Sequence, residues 1–417
     1  MSKLLIDGFR KLEGEVNIHG AKNSVLPILA STILCKGDCI IHNCPNLSDV
    51  EVSIDILKYL GAIVKRENNT LIVNTNSIFR YDIPDSLMRE MRSSIIFLGA
   101  ISSRYKKARL SFPGGCELGP RPIDLHLKAL KKMKLEINED HGFLDCFSNG
   151  PLVGADIDLS FPSVGATENI MLAATLANGK TTISNAAREP EICDLASFLN
   201  KCGAKIVGAG EGTITICGVD ELFGVEHRVI PDRIAAATFM SSVAAAKGEV
   251  CLRNIIPEHL SSIIPIFEEA GCNLSVYNDA IKVKMFDRLK PVKFIRTMPY
   301  PGFPTDAQAP IMAMLTLADG NSMFIENIFD SRYNHVGELT RMGASIKVEG
   351  KVAVVEGVKS LYGAVVNSTD LRGAAALVVA GLAAEGITEI TELKHLDRGY
   401  ENLEDRLNKI GARLKRI

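Results

Sequence analysis

CGAKIVGAGEGTITI, residues 202–216, carries a glycine at its second position, alternates apolar and polar side chains, breaks at a glycine-rich turn and alternates again. Glycine is the commonest left-handed stop of a helix, and period-two alternation marks a half-buried strand, so the stretch reads as a helix ending at Gly203 followed by a pair of strands. The same unit returns as LGAIVKRENNTLIV (60–73), AGCNLSVYNDAIKV (270–283), MGASIKVEGKVAVV (342–355) and IGARLKRI (410–417). A degenerate copy, KMKLEINEDHGFLDC (132–146), aligns Met133 with the glycine. From 61 through 133, 203, 271 and 343 to 411 the intervals are 72, 70, 68, 72 and 68 residues, which makes the chain six copies of one unit.

Two further landmarks keep this rhythm. Glycines at 37, 179, 248, 320 and 386 each precede a strand and a loop, as in LANGKTTISNAAREPEI. The second copy, SSRYKKARLSFPGGCELGPRP, lacks that glycine but keeps the strand and loop, so Cys116 sits in the loop that recurs in every repeat. Ahead of each such strand runs an apolar helix, beginning near Lys22, Arg92, Gly165, Asp232, Asp306 and Asp370. Helix N-termini gather unsatisfied N–H groups and the positive end of the macrodipole. Capping accounts for aspartates at these positions. A lysine or arginine opposes the dipole and makes sense there if an anionic ligand lies between.

Each repeat therefore reads as strand, helix, strand, loop, helix, strand pair. Three repeats make a domain, and 417 residues exceed the roughly 250–300 at which a single core stops growing. The expected division is a three-repeat domain at 22–229 and a second formed by 1–21 together with 230–417. GEVNIHG, residues 14–20, precedes the first helix without a unit of its own and is expected to complete the second domain.

Composition narrows the function. Lys plus Arg number 47 and Asp plus Glu 49, a net charge of −2, which argues against nucleic-acid and membrane-surface binding and leaves any anion to local cation clusters. MSKLLIDGFRKLEGE lacks the apolar core of a signal peptide, and the longest apolar run, 374–384, is too short to span a bilayer, so a cytoplasmic protein is expected. Ten cysteines include no C-x-x-C pair and no accompanying histidine pattern, so free thiols are expected, with no metal and no cofactor.

SFPGGCELGPRP, residues 111–122, holds a thiol behind two glycines and near an arginine clamped by two prolines. Together with GAKNSVLPI (20–28), PGGCELGPRPIDLH (113–126), SVGATENIM (163–171), NAAREPEI (185–192), FPTDAQA (303–309), TDLRGAAALVVAG (369–381) and HLDRGYENLEDRL (395–407), it resembles the UDP-N-acetylglucosamine branch of the enolpyruvyl transferase family, over essentially the whole chain. The resemblance implies two inside-out α/β domains, with helices in the core of each and the active site in the cleft between them. It implies transfer of the enolpyruvyl group of phosphoenolpyruvate to the 3′-hydroxyl of UDP-N-acetylglucosamine, the first committed step of peptidoglycan synthesis. Phosphate is released by addition and elimination through a tetrahedral intermediate.

By the same resemblance Lys22, Arg121 and Arg398 hold the phosphate of phosphoenolpyruvate, and Arg332 and Arg372 its carboxylate. Arg92 and Asp370 join the substrate-binding set at two helix starts. Asp306 takes the proton of the sugar hydroxyl, and Cys116 delivers one to the methylene carbon; an unperturbed thiol, with a pKa of about 8.5, is mostly protonated at neutral pH and can donate. Asn23, Pro122, Asp124 and Leu125 hold uridine and sugar, Ser163, Val164 and Gly165 the diphosphate, and Ile328 packs near the acetamido group. Phe161 departs from the pattern, standing where a lysine is expected, which puts the diphosphate's cation in question. The rivals are transfer to another acceptor and a regulator that binds the sugar nucleotide without turnover. The latter has no need of Cys116, Asp306, Lys22 and Arg398 together.

Overall fold

The computed structural model describes residues 2–113, 118 and 122–417. It divides into two compact units, one formed by 20–113 and 122–230 and the other by 2–19 and 231–417. Each unit contains three four-stranded sheets of one design. In the third repeat, Asp156–Asp158 runs parallel to Lys180–Ser184, which pairs antiparallel with Thr213–Cys217, which in turn pairs antiparallel with the edge strand Lys205–Val207. The helix between the first two strands is the parallel crossover, and the last two strands form the pair read from the 202–216 motif.

Three sheets borrow a strand from elsewhere in their unit. Glu226–Arg228 supplies the parallel strand beside Asp38–His42 in the first repeat. Leu12–Asn17 supplies it for the fourth, lying parallel to Gly248–Arg253 with Gly14 opposite Val250. Leu4–Asp7 completes the sixth, antiparallel to both Ile387–Thr391 and Leu414–Arg416.

The crossover helices are apolar on all sides, so each must be enclosed. Arg233–Ala246 is buried at every residue, Thr305–Leu315 from Ala307 onward and Leu371–Ala383 from Arg372 onward; these three pack against one another. Alanines 235–237 and 374–376, all buried, keep these helices slim enough for that packing. In the other unit Phe97–Tyr105 meets Val164–Ala174 at Gly99, where a Cβ would come within 2.3 Å of the Asn169 carbonyl oxygen. Gly99 N–H instead donates to Asn169 Oδ1 at 2.6 Å. Helices inside and sheets outside is the inside-out arrangement.

The helix-stop glycines 61, 203, 271, 343 and 411 all have positive φ, between 91° and 109°. In the degenerate second repeat this position belongs to Lys134 (φ 68°), while Met133 is an ordinary buried residue at φ −80°. The sequence alignment on Met133 is therefore one residue early; the strand Glu136–Asp140 starts two residues after the left-handed position, as do the strands that follow Gly61, Gly203, Gly271 and Gly343. Likewise Lys106 (φ 61°) fills the place of the missing second-landmark glycine, directly before Lys107–Ser111. Among the described residues no helix is long and apolar enough to cross a membrane.

Candidate functional site

Two of the three aspartates at helix starts are caps. Asp232 Oδ1 accepts from Ile234 N–H and Ala235 N–H at 2.8 Å, and Asp370 Oδ1 from Arg372 N–H and Gly373 N–H at 3.0 and 3.1 Å. Asp306 is different. Pro304 holds the cap position of the Thr305–Leu315 helix, and the Asp306 carboxylate lies between two guanidiniums: Arg332 Nη2 donates to Oδ1 at 2.7 Å and Arg372 Nη2 to Oδ2 at 3.0 Å. Both arginines are buried, at 1% and 2% exposure, so they are not surface ion pairs.

Each arginine is anchored from behind. Arg332 Nε and Nη2 donate to the Thr305 carbonyl at 3.2 and 2.9 Å. Arg372 Nη1 donates to the Tyr400 hydroxyl at 3.2 Å, and that hydroxyl pairs with Thr238 Oγ1 at 2.8 Å. Burial by itself would lower the Arg372 pKa, but Asp306, Tyr400 and Asp232 together raise it above the usual arginine value, so the side chain stays charged. One carboxylate between two fixed planar cations leaves donor capacity for a further carboxylate or phosphate.

Glu326, 1% exposed, builds the adjoining turn: Oε1 accepts from Ile328 N–H and Phe329 N–H at 2.8 and 3.1 Å, and Oε2 from Thr305 Oγ1 at 3.0 Å. The half-buried Ile328 is thereby fixed beside the start of the Asp306 helix. His335 lies fully buried next to this group, its pKa pushed down to about 4 mainly by burial, with Asp370 opposing and Arg332 reinforcing. Arg398, half-buried, caps the C-terminus of Lys394–Asp397.

In the 20–230 unit, Lys22 begins the Lys22–Ser31 helix and its Nζ lies 2.6 Å from Asp49 Oδ2, both side chains being buried. Asn23 is half-buried beside it, and Ser24 donates to Asp194, whose other oxygen is 2.9 Å from His227 Nε2. Arg92 starts a short 3-10 turn leading into Phe97–Tyr105 and donates to the Pro113 carbonyl at 3.4 Å. Ser163 caps Val164–Ala174, accepting from Ala166 N–H at 3.3 Å, and Val164 and Gly165 form its half-exposed first turn. Pro122 is exposed, Asp124 and Leu125 half-buried; Asp124 pairs with Lys128 at 2.9 Å, which lowers its pKa. Burial, reinforced by Glu191 and Glu189, pushes Glu168 well above the ordinary carboxylate range.

The expected proton donor Cys116 and the phosphate-binding Arg121 lie outside the described residues. The structure joins Asp306, Arg332, Arg372 and Asp370 into one bonded group and sets Ser163, Val164 and Gly165 on one helix start. Tyr400, Thr238, Glu326, Asp49, His126 and Asn169 escaped the sequence reading. Only Glu326 left a signal, a carboxylate placed two and three residues before the N–H groups it accepts from. Among the described residues no group of three or more His, Cys, Asp or Glu is placed to hold a metal ion.

The family described as EPSP synthase (3-phosphoshikimate 1-carboxyvinyltransferase) matches residues 6–407. The chain is 52% identical, over the full length of both, to UDP-N-acetylglucosamine 1-carboxyvinyltransferase 2 of Caldanaerobacter subterraneus subsp. tengcongensis. It is 49% identical to UDP-N-acetylglucosamine 1-carboxyvinyltransferase 1 of Carboxydothermus hydrogenoformans, over 100% of this chain and 99% of that one. Its structure resembles the enolpyruvyl transferase NikO of Streptomyces tendae, with a TM-score of 0.90 at 25% identity over 100% and 98% of the two chains. The EPSP synthase of Acinetobacter baumannii shares the fold, with a TM-score of 0.79 at 18% identity over the whole of both chains. An inside-out fold of six repeats, a carboxylate held between two buried arginines, and about half-identity from end to end to two UDP-N-acetylglucosamine 1-carboxyvinyltransferases have one reading: the chain belongs to the enolpyruvyl transferase family, in its UDP-N-acetylglucosamine 1-carboxyvinyltransferase branch.

Proposed function

We propose that this chain transfers the enolpyruvyl group of phosphoenolpyruvate to the 3′-hydroxyl of UDP-N-acetylglucosamine and releases phosphate, working in the cytoplasm, where both substrates are made. The observation that carries the residue assignment is Asp306 between Arg332 and Arg372 at a helix start. In the addition step the sugar oxygen bonds to C2 of phosphoenolpyruvate, the double-bond electrons take up a proton at C3, and the hydroxyl proton leaves to a base. In the elimination step the bond from C2 to the phosphate oxygen breaks as C3 gives up a proton and the double bond re-forms.

Asp306 is assigned the hydroxyl proton. Flanked by two cations it is a poor base, so the assignment requires the substrate carboxylate to take over part of the Arg332 and Arg372 donor set, which frees Asp306 to accept. Cys116 is assigned the proton to C3, and Lys22, Arg121 and Arg398 the phosphate. Lys22 is a strong candidate because its charge opposes the dipole of its own helix, with Asp49 as counter-ion. The diphosphate falls to Ser163, Val164 and Gly165, and uridine and sugar to Asn23, Arg92, Pro122, Asp124 and Leu125. Asp370 and Ile328 complete the substrate contacts.

The test is phosphate release from phosphoenolpyruvate with UDP-N-acetylglucosamine, with 3-phosphoshikimate, and with neither. Release that needs UDP-N-acetylglucosamine supports the proposal. Release with 3-phosphoshikimate alone, or none with any acceptor, overturns it.

A further inference from the structure

Lys22 and Asn23 sit on a helix start that is weak by its own sequence. Ala21 holds the cap position of Lys22–Ser31 and offers no side-chain cap, the first turn has no acidic residue, and Lys22 sets a cation against the positive end of the macrodipole. Pro27, inside the helix, has no N–H to give the Asn23 carbonyl four residues earlier. Lys22 is also paired with Asp49 at 2.6 Å, but that bond fixes the ammonium and not the backbone turn. What holds the turn comes from elsewhere in the 20–230 unit.

Asp194, buried in Pro190–Lys201, takes three donors on its carboxylate. The fully buried Ser24 hydroxyl donates to Oδ2 from the first turn itself, and Ile230 N–H donates to the same oxygen at 3.2 Å. The Ile230 carbonyl in turn accepts from Ala21 N–H at 2.7 Å. One carboxylate thus grips the helix start twice, directly through Ser24 and through the Ile230 backbone at the cap residue. His227 Nε2–H donates to the other oxygen, Oδ1, at 2.9 Å. The edge-to-face contact with Phe198 and the Lys201 ammonium, 3.3 Å from Nδ1, set the ring. An ammonium only donates, so Nδ1 accepts and the proton on Nε2 faces Asp194.

We propose that Asp194 is a positioning residue of the transfer reaction: through Ser24 and Ile230 it holds the turn that carries Lys22 and Asn23, with His227 and Lys201 aiming its carboxylate. The proposal rests on the functional reading above, which gives Lys22 the phosphate of phosphoenolpyruvate and Asn23 the sugar nucleotide. Asp194 touches neither substrate in that reading and acts only through the turn.

The test uses the full-length protein. Ser24→Ala removes one grip and leaves the carboxylate two donors, so the buried charge stays bonded. Hydrogen exchange of the ligand-free variant, read by mass spectrometry on a peptide covering 18–28, should run at least about tenfold faster than wild type, the size of a hydrogen bond to a charged group. That peptide contains the bonded amides of Ala21, Ser24 and Val25. Exchange in Val164–Ala174 and Arg233–Ala246 should not change. In turnover, kcat/KM for phosphoenolpyruvate and for UDP-N-acetylglucosamine should each fall at least about tenfold. Ile214→Val, a core methyl deletion in the same unit, is the control: it should lower the urea midpoint and move both constants less than about twofold. Asp194→Asn should lose more than Ser24→Ala, because its NH2 group faces either His227 Nε2–H or the donors from Ser24 and Ile230. His227→Phe should weaken both constants, and His227→Gln, whose amide nitrogen reaches the Nε2 position, should recover most of that loss. Wild-type exchange over 18–28 in Ser24→Ala, kinetic losses no larger than those of Ile214→Val, or no recovery in His227→Gln overturns the proposal. A wild-type enzyme that binds UDP-N-acetylglucosamine but releases no phosphate sinks the functional reading, and the exchange result alone then decides whether Asp194 holds the turn.

Discussion

Arg372 Nη2 donates to Asp306 Oδ2 across 3.0 Å, tying the first turn of Leu371–Ala383 to the first turn of Thr305–Leu315. Side chains from the first turns of two buried helices thus meet as one ion pair, and the Tyr400 and Thr238 hydroxyls fix the arginine from the other side.

Replacing that carboxylate by its amide keeps the shape and removes the base. Asp306→Asn should lose at least about 10²-fold in turnover, while calorimetric affinity for UDP-N-acetylglucosamine stays within a small factor. Near-normal phosphate release by the variant would reduce Asp306 to a counter-ion for Arg332 and Arg372.

Cys116 should be the most reactive of the ten cysteines towards a small phosphonate epoxide such as fosfomycin, with the phosphonate steered by Lys22, Arg121 and Arg398. Cys116→Asp should abolish labelling and retain turnover, because a carboxyl of raised pKa also donates a proton. Cys116→Ser, a far weaker acid, should lose both. Peptide mapping after brief exposure, beside phosphate-release assays, decides; labelling spread over several cysteines or a fully active serine variant returns the loop to being a turn.

His335 and His126, each held to about pKa 4 by burial, make stability depend on pH. The unfolded ring takes up a proton near pH 6.5 and the folded ring does not, so the contribution is whole above pH 6.5 and is lost as pH falls towards 4. Between pH 7 and pH 5 each ring accounts for about 2 kcal/mol of lost stability. Urea unfolding at the two pH values should show a smaller loss in His335→Phe than in wild type; identical losses would contradict the assignment.

Lys106 and Lys134 occupy left-handed positions that the other repeats give to glycine. A side chain there costs about 1–2 kcal/mol, partly offset by the extra freedom glycine gives the unfolded chain. Lys106→Gly and Lys134→Gly should each stabilise the protein by about 0.5–1 kcal/mol in urea titration. A destabilised variant would mean that these lysines contribute contacts outweighing the backbone strain.

The repeat was legible because two recurring glycines and one alternating strand pair are local signals, each written within about fifteen residues. The same signals failed by one residue at Met133, where lysine replaced glycine and only the backbone conformation marks the stop. Lys22, Arg332 and Arg372 could be singled out as charges on repeating landmarks. What fixes them could not: Asp49 lies 27 residues from Lys22, and Thr238 lies 162 residues from the Tyr400 that meets Arg372. Serine, threonine and asparagine partners of this kind look like any other polar residue on a helix until the helices are packed. Asn169 is the clearest case, since its bonds run to Gly99 and His126, which both come from the repeat before its own.

The strand Leu4–Asp7 lies between Ile387–Thr391 and Leu414–Arg416, and Leu12–Asn17 lies against Gly248–Arg253. During synthesis both segments leave the ribosome long before their partners: Leu12–Asn17 waits for Gly248–Arg253 and Leu4–Asp7 for Ile387–Thr391 and Leu414–Arg416. The 20–230 unit draws every strand of its sheets from its own span, so it has what it needs before translation ends. The other unit closes only when the final turn of chain is delivered, and closing it spans nearly the whole sequence, a slow kind of contact. Until then two short strand edges remain exposed on the growing chain, where a trigger-type holdase or an added N-terminal tag would act on folding yield while leaving the finished protein unchanged.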